Sequence, residues 1–123
     1  MNRFVHFELN SPDCEKTLAF FKSAFGWEFN TWDMGFPYHL ATTGEKGTPG
    51  IDGAVMPSQD GKPSTVNIVE VENIDETIEK LKSLGGNCVV EKMPIPSVGY
   101  SAYFLDPAGL LFGIYQGDPT ATA

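Results

Sequence analysis

At 123 residues, 41% hydrophobic and 20% charged, the chain has the size and mixture of one globular domain, and a chain of that length buries roughly two thirds of the surface its unfolded form exposes. Collagen, coiled coil and wholesale disorder are excluded. Eight basic against 16 acidic residues leave a net charge of −8, a field that repels phosphate backbones and anionic lipid, so neither nucleic acid nor a membrane is an expected partner.

From the N-terminus, Met1-Asn2-Arg3-Phe4 meets Glu8, Asp13 and Glu15 too early for a secretory leader, and no apolar run is long enough to span a bilayer. Val5, Phe7 and Leu9 alternate with Phe4, His6 and Glu8, the period of a strand. Ser11-Pro12-Asp13 breaks it, with Asp13 as N-cap of a helix whose apolar positions are Cys14, Leu18, Phe21 and Phe25 and whose stop is Gly26. Cys14 and Cys88 are the only cysteines. Without a leader they read as reduced thiols of a cytoplasmic protein, either as small buried side chains or, for Cys14, as a thiolate favoured by the helix dipole. Trp27 and Trp32 flank the end of this helix as packing or rim residues. Strands are expected at Tyr38–Thr42 and Ile51–Met56, around the Gly-rich loop Gly44–Gly50, and Ser58–Ser64 reads as a linker.

The second half repeats the plan. Val66, Ile68, Val69 and Val71 form a strand, Asn73 caps a helix through Ile74, Ile78 and Leu81, and Gly85-Gly86 stops it. Tyr100–Leu105 and Leu110–Tyr115 flank a turn at Asp106-Pro107-Ala108-Gly109. A shift of 60 sets Thr17 on Thr77, Leu18 on Ile78, Lys22 on Lys82, Gly26 on Gly86 and Gly53 on Gly113, which is an internal duplication. The expected class is α+β: two tandem βαβββ modules, residues 1–57 and 65–116, joined by 58–64 and followed by a tail, 117–123, with nothing to pack. Each module leaves one sheet face bare, so a curled mixed sheet around a cleft is the expected outcome, with the cleft as the natural place for function.

The paired halves, with Phe4-Val5-His6-Phe7-Glu8-Leu9, Phe20-Phe21…Phe25-Gly26-Trp27 and Asp106-Pro107-Ala108-Gly109, resemble the vicinal oxygen chelate superfamily from about Phe4 to Tyr115. That group includes glyoxalase I, bleomycin-resistance proteins, fosfomycin-resistance enzymes and extradiol dioxygenases. The resemblance implies four metal-ligand places, two per half, and here they hold His6, Val66, Gly53 and Gly113. Neither Val nor Gly has a side-chain donor, and one imidazole does not hold Zn²⁺, Ni²⁺ or Fe²⁺. No metal or other cofactor is therefore expected, unless a divalent ion uses a non-standard ligand set. The resemblance also implies a homodimer.

Strand parity turns the alternation into a residue list. If His6 faces the cleft, so does Glu8, and a four-residue turn at Asp106–Gly109 would pair Ala102 with Gly113 and Tyr100 with Tyr115. The expected ligand-binding set is His6, Glu8, Leu40, Gly53, Val55, Val66, Ile68, Tyr100, Ala102, Gly113 and Tyr115; a one-residue register slip would reverse parts of it. The two glycines either open volume for a ligand or accommodate a bulge or twist. His6 and Glu8, about 6–7 Å apart along the strand, suit either an acid–base pair or a hydrogen-bonded pair at a solvated mouth. His39 points the other way. Glu70, Glu72, Asp75, Glu76 and Glu79 read as a solvated face without calcium-loop spacing. Phosphate-loop, nucleophile-elbow and Cys-x-x-Cys signatures are missing.

The functional expectation is a protein that binds a small, partly apolar or aromatic molecule without the usual metal chemistry. The alternative is a metal-dependent lyase, isomerase or dioxygenase of the same superfamily.

Overall fold

The computed structural model describes residues 1–122. The elements run β1 (Arg3–Ser11), α1 (Cys14–Phe25), β2 (Glu28–Asp33), β3 (Pro37–Thr42), β4 (Asp52–Pro57), β5 (Ser64–Glu70), α2 (Ile74–Ser83), β6 (Asn87–Ile95), β7 (Gly99–Leu105) and β8 (Leu111–Gly117). The class is α+β, with the order strand, helix, three strands repeated once. Contacts divide the chain into one unit of Val5–Val66 and another of Met1–Phe4 with the residues from Asn67 onward.

In the Val5–Val66 unit the sheet order is β2-β3-β4-β1. β1 and β4 are parallel, with Phe7 opposite Gly53 and Glu8 opposite Ala54, and the other two pairings are antiparallel. The helix begins where Asp13 leaves helical geometry at φ −147° and its carboxylate accepts from the Lys16 amide at 3.2 Å, satisfying one of the orphan donors of the first turn. It ends at Gly26, whose φ of 74° is left-handed and whose amide donates to the Lys22 carbonyl at 2.9 Å. α1 holds to the sheet through aromatic rings. Phe21 stacks on Trp27 at 4.7 Å, and Trp27 meets Phe7 at 5.7 Å. The helix therefore covers the Phe7 face of the sheet. It buries no residue completely, and Phe20 and Phe25 remain exposed.

In the other unit the order is β5-β8-β7-β6, with β5 and β8 parallel. Asn73 caps α2 by accepting from the Glu76 amide at 3.1 Å. The Gly86 amide closes its C-terminus on the Leu81 carbonyl at 2.8 Å. A Cβ on Gly86 would sit 2.8 Å from that carbonyl oxygen, so the close approach needs glycine. Here the helix buries Ile74 and Ile78: with Val71, Ala102, Phe104 and Ile114 they form a buried core, and Val69, Leu81, Tyr100 and Phe112 pack around it.

Two expectations change. The β7–β8 loop spans five residues, 106–110, because Gly109 at φ 89° adds a left-handed residue and the Asp106 amide donates to the Leu110 carbonyl at 2.9 Å. The Asp106 carboxylate holds the loop by accepting from the Ala108 and Leu110 amides at 2.9 and 2.8 Å. The tail also has something to pack. Ala121 is buried, its carbonyl accepts from the Ser97 amide at 3.0 Å, and the Asp118 amide donates to the Val98 carbonyl at 2.9 Å. Ala123 lies outside the described residues. Among the described residues no helix is long and apolar enough to cross a membrane.

Candidate functional site

The pairings decide which residues share a face. On the sheet face opposite α1, His6 and Glu8 of β1 line up with Asp52 and Ala54 of β4, Ala54 with Leu40 of β3, and Tyr38 with Trp32 of β2. Directly paired residues point the same way, so this face gathers His6, Glu8, Tyr38, Leu40 and Asp52.

Three of these side chains are bonded to one another. The Tyr38 hydroxyl donates to Glu8 Oε2 at 2.7 Å, and the same hydroxyl oxygen stands 2.8 Å from His6 Nε2. The His6 and Tyr38 rings lie nearly parallel, 15° apart with centroids 6.3 Å apart, and Phe36 meets Tyr38 edge-on at 6.4 Å. Glu8 is 4% exposed, so its carboxylate needs such donors to be tolerated. Burial pushes the His6 pKa below its ordinary value, and the charges of Glu8 and Asp52 only partly oppose that. Besides Glu8, the strand positions of this face carry the acids Asp52 and Glu28 and no Lys or Arg.

The sequence expectation for His6, Glu8 and Leu40 matches this face. Gly53 and Val55 do not lie on it. Gly53 sits opposite Phe7, and a Cβ there would come within 2.5 Å of two Phe7 ring carbons. Its missing side chain is filled by that ring, so Gly53 is glycine for packing and opens no volume on the His6 face. Val55, opposite Leu9 and His39, is likewise on the helix side and fully buried. His39 is on that side too, its Nδ1 2.8 Å from the Thr31 hydroxyl.

In the second unit, Ile68, Gly113 and Tyr115 share the face opposite α2; Val66, the last residue of the Val5–Val66 unit, precedes Ile68 by two on the same strand β5. Tyr100 and Ala102 do not. Ala102 pairs with Ile114 and Tyr100 with Gln116, on the helix side, and Ala102 belongs to the buried core. Their places on the other face are taken by Ser101, opposite Tyr115, and Tyr103, opposite Gly113. The five-residue loop is the cause, since it moves every β7 pairing by one. A Cβ on Gly113 would be 3.0 Å from Ile68 Cγ1 and 3.2 Å from Tyr103 Cε1, so an aromatic ring covers this glycine as well. Tyr115 gives its hydroxyl proton to the Val98 carbonyl at 3.1 Å.

The duplication also shifts locally. The offset of 60 carries β1 onto β5, but Glu8 faces Ala54 while Ile68 faces Gly113. Ala54, not Gly53, is the structural counterpart of Gly113.

The thiols carry no site. Burial and then the Asp13 carboxylate push Cys14 up, against the thiolate that the helix terminus alone would favour. Cys88 is raised mainly by burial. Two hollows lie elsewhere. One of about 820 Å³ runs between α2 and its sheet, lined by Val71, Thr77, Leu81 and Phe112. Another of about 530 Å³ lies at the start of α1, beside Ser11, Thr17 and Pro63. Neither includes His6, Glu8 or Tyr38.

The metal places of the resemblance do not fit an ion. Val66, Gly53 and Gly113 offer no donor, Gly53 faces the helix, and among the described residues no three His, Cys, Asp or Glu side chains are grouped to hold a cation. Asp52 and Tyr38 are the residues that the sequence reading missed. Tyr38 was within reach, being two residues from Leu40 on the same strand face. Asp52 required the β1–β4 register.

The profile of the Glyoxalase/Bleomycin resistance protein/Dioxygenase superfamily matches residues 3–114. Among curated proteins, "Putative glyoxylase CFP32" of Mycobacterium tuberculosis is 27% identical over 115 residues, and its Mycobacterium bovis counterpart matches equally. The match covers 91% of this chain but 43% of those proteins, so the chain spans less than half of their length. Among solved structures, methylmalonyl-CoA epimerase from Mycobacterium tuberculosis superposes with a TM-score of 0.74 at 16% identity, covering 94% of this chain and 88% of that one. A hypothetical protein, BH1468, from Bacillus halodurans reaches 0.77 at 15% identity, covering 99% of both chains. At such identities these likenesses establish the fold.

Proposed function

Since the chain belongs to the glyoxalase/bleomycin resistance protein/dioxygenase superfamily, we propose that it binds a small, partly apolar or aromatic molecule on the His6–Tyr38–Glu8 face, without a four-ligand metal chelate. The observation that carries this reading is that the donors are spent on one another. The one imidazole at a ligand place has its Nε2 engaged by Tyr38, whose proton goes to Glu8. Around that polar trio stand Leu40, Ala54, Phe36 and Trp32, a mixture of apolar wall and few polar atoms that suits an oriented small ligand. The face opposite α2, with Ile68, Gly113 and Tyr115, is the second candidate surface.

The structural neighbours named as epimerases act on an acyl-CoA, which carries phosphates. A face with Glu8, Asp52 and Glu28 and no Lys or Arg disfavours such an anion, so their substrate is not carried over. We extend the reading to a cytoplasmic homodimer. In its favour are the free thiols of Cys14 and Cys88 and the exposed Phe20 and Phe25 on α1.

The test is metal analysis of untagged protein prepared without chelator, together with a thermal-shift screen of small aromatic metabolites and antibiotics. Substoichiometric metal and a ligand that raises the melting temperature by mass action are expected. Stoichiometric divalent metal that disappears in His6→Ala would instead establish the metal-dependent alternative. Sedimentation velocity reads the oligomeric state.

A further inference from the structure

A phenol has one proton, and Tyr38 gives it to the Glu8 carboxylate at 2.7 Å. Toward His6, 2.8 Å away, the same oxygen can then only accept. The contact closes as a hydrogen bond when Nε2 carries the imidazole hydrogen, which leaves the lone pair on Nδ1. We propose that Tyr38 and Glu8 act as positioning residues that hold His6 in its Nε2–H tautomer. The face thereby offers Nδ1 as a hydrogen-bond acceptor and takes an apolar or aromatic ligand bearing an N–H or O–H donor, neutral or cationic, in preference to a carboxylate or phosphate. This inference rests on the small-molecule reading above and specifies its ligand class.

Independent features agree with it. The charged groups of the same strands nearest His6 are Glu8 on β1 and Asp52 on β4, both acids, and their charges oppose a bound anion. Tyr38 is itself flanked by Phe36 and Trp32, which offer ring faces and edges to a flat molecule.

The experiment begins with a long-range ¹H–¹⁵N correlation spectrum of the imidazoles in ¹⁵N-labelled protein at pH 7.5. The chain has two histidines, and His39→Gln assigns the His6 signals. The expected pattern is protonated Nε2 and unprotonated Nδ1, changing to a mixture of tautomers in Tyr38→Phe. The same protein is then titrated with phenol, benzylamine and benzoate, one-ring probes that differ in the polar group. Phenol and benzylamine are expected to shift the His6 Nδ1 resonance, with benzoate binding at least about tenfold more weakly. An Nδ1–H tautomer or an imidazolium in the free protein overturns the inference even if ligands bind. Benzoate binding as well as the two donors overturns the ligand class alone. The expected tautomer with none of the probes moving any signal of this face overturns the small-molecule reading, and the ligand class falls with it.

Discussion

Gly53→Ala separates a packing glycine from a ligand-facing one. The Cβ it adds would lie 2.5 Å from two ring carbons of Phe7 and closer still to the Phe7 carbonyl oxygen. Carbon atoms rest about 3.5–4.0 Å apart, so β4 must shift against β1 by about 1 Å, because moving the Phe7 ring, already packed against Trp27 at 5.7 Å, would leave the contact with the carbonyl oxygen in place. Forcing a methyl into such a site costs about 1–3 kcal/mol, from which the lower chain entropy of alanine in the unfolded state recovers about 0.5–1 kcal/mol. The left-handed backbone region is not in play here, because Gly53 is absent from the positive-φ residues, so sterics decide the outcome. A net loss of about 1 kcal/mol lowers the melting temperature of a chain this size by about 3–5 °C. Calorimetry or thermal circular dichroism reads it, and Phe7→Leu in the same background should return part of the loss as a coupling energy. A melting temperature equal to or above that of the parent protein would mean that the space beside Gly53 is open. The assignment of Gly53 to the helix face would then be wrong.

Tyr38→Phe removes the phenolic donor from the buried Glu8 carboxylate and should cost about 1–3 kcal/mol, read by urea unfolding; no measurable loss would mean that the Tyr38–Glu8–His6 contacts contribute nothing to the fold. Phe104, 0% exposed in the core beneath α2, should lose about 3–5 kcal/mol on Phe104→Ala, and a loss below about 1 kcal/mol would refute that core. The pH dependence follows from His6, whose folded pKa lies below the ordinary 6.5. Above pH 6.5 the imidazole is neutral folded or unfolded and its contribution is complete. As the pH falls from there through the folded pKa, the unfolded chain takes up the proton first and stability drops. His6→Gln should flatten that part of the stability–pH curve, and an unchanged slope would refute the depressed pKa.

How much of the site could be read in advance differs from strand to strand. His6 and Glu8 share a face because alternation within a single strand groups them, and Leu40, reached like Gly53 and Val55 through a cross-strand pairing, falls on that face as well. Gly53, Val55, Tyr100 and Ala102 were misplaced because each was assigned through a pairing or an alignment, where one residue of error reverses the face. For Tyr100 and Ala102 the error is visible in a single residue, Gly109, whose left-handed conformation lengthens the hairpin loop to five residues.

The sequence by itself determined the two helices, with Asp13 and Asn73 starting them and Gly26 and Gly85-Gly86 stopping them, and the duplication. These are local chemistry: caps satisfy nearby amides, and periodicity marks an apolar stripe. Only the tertiary structure decided that Tyr38, a β3 residue, reaches past β4 to join His6 and Glu8, that Asp52 lies beside them, and that the Phe7 ring occupies the space over Gly53. Which strands pair, and in which register, depends on loop conformations and on packing between segments far apart in the chain, and alternation within a strand carries no information about either.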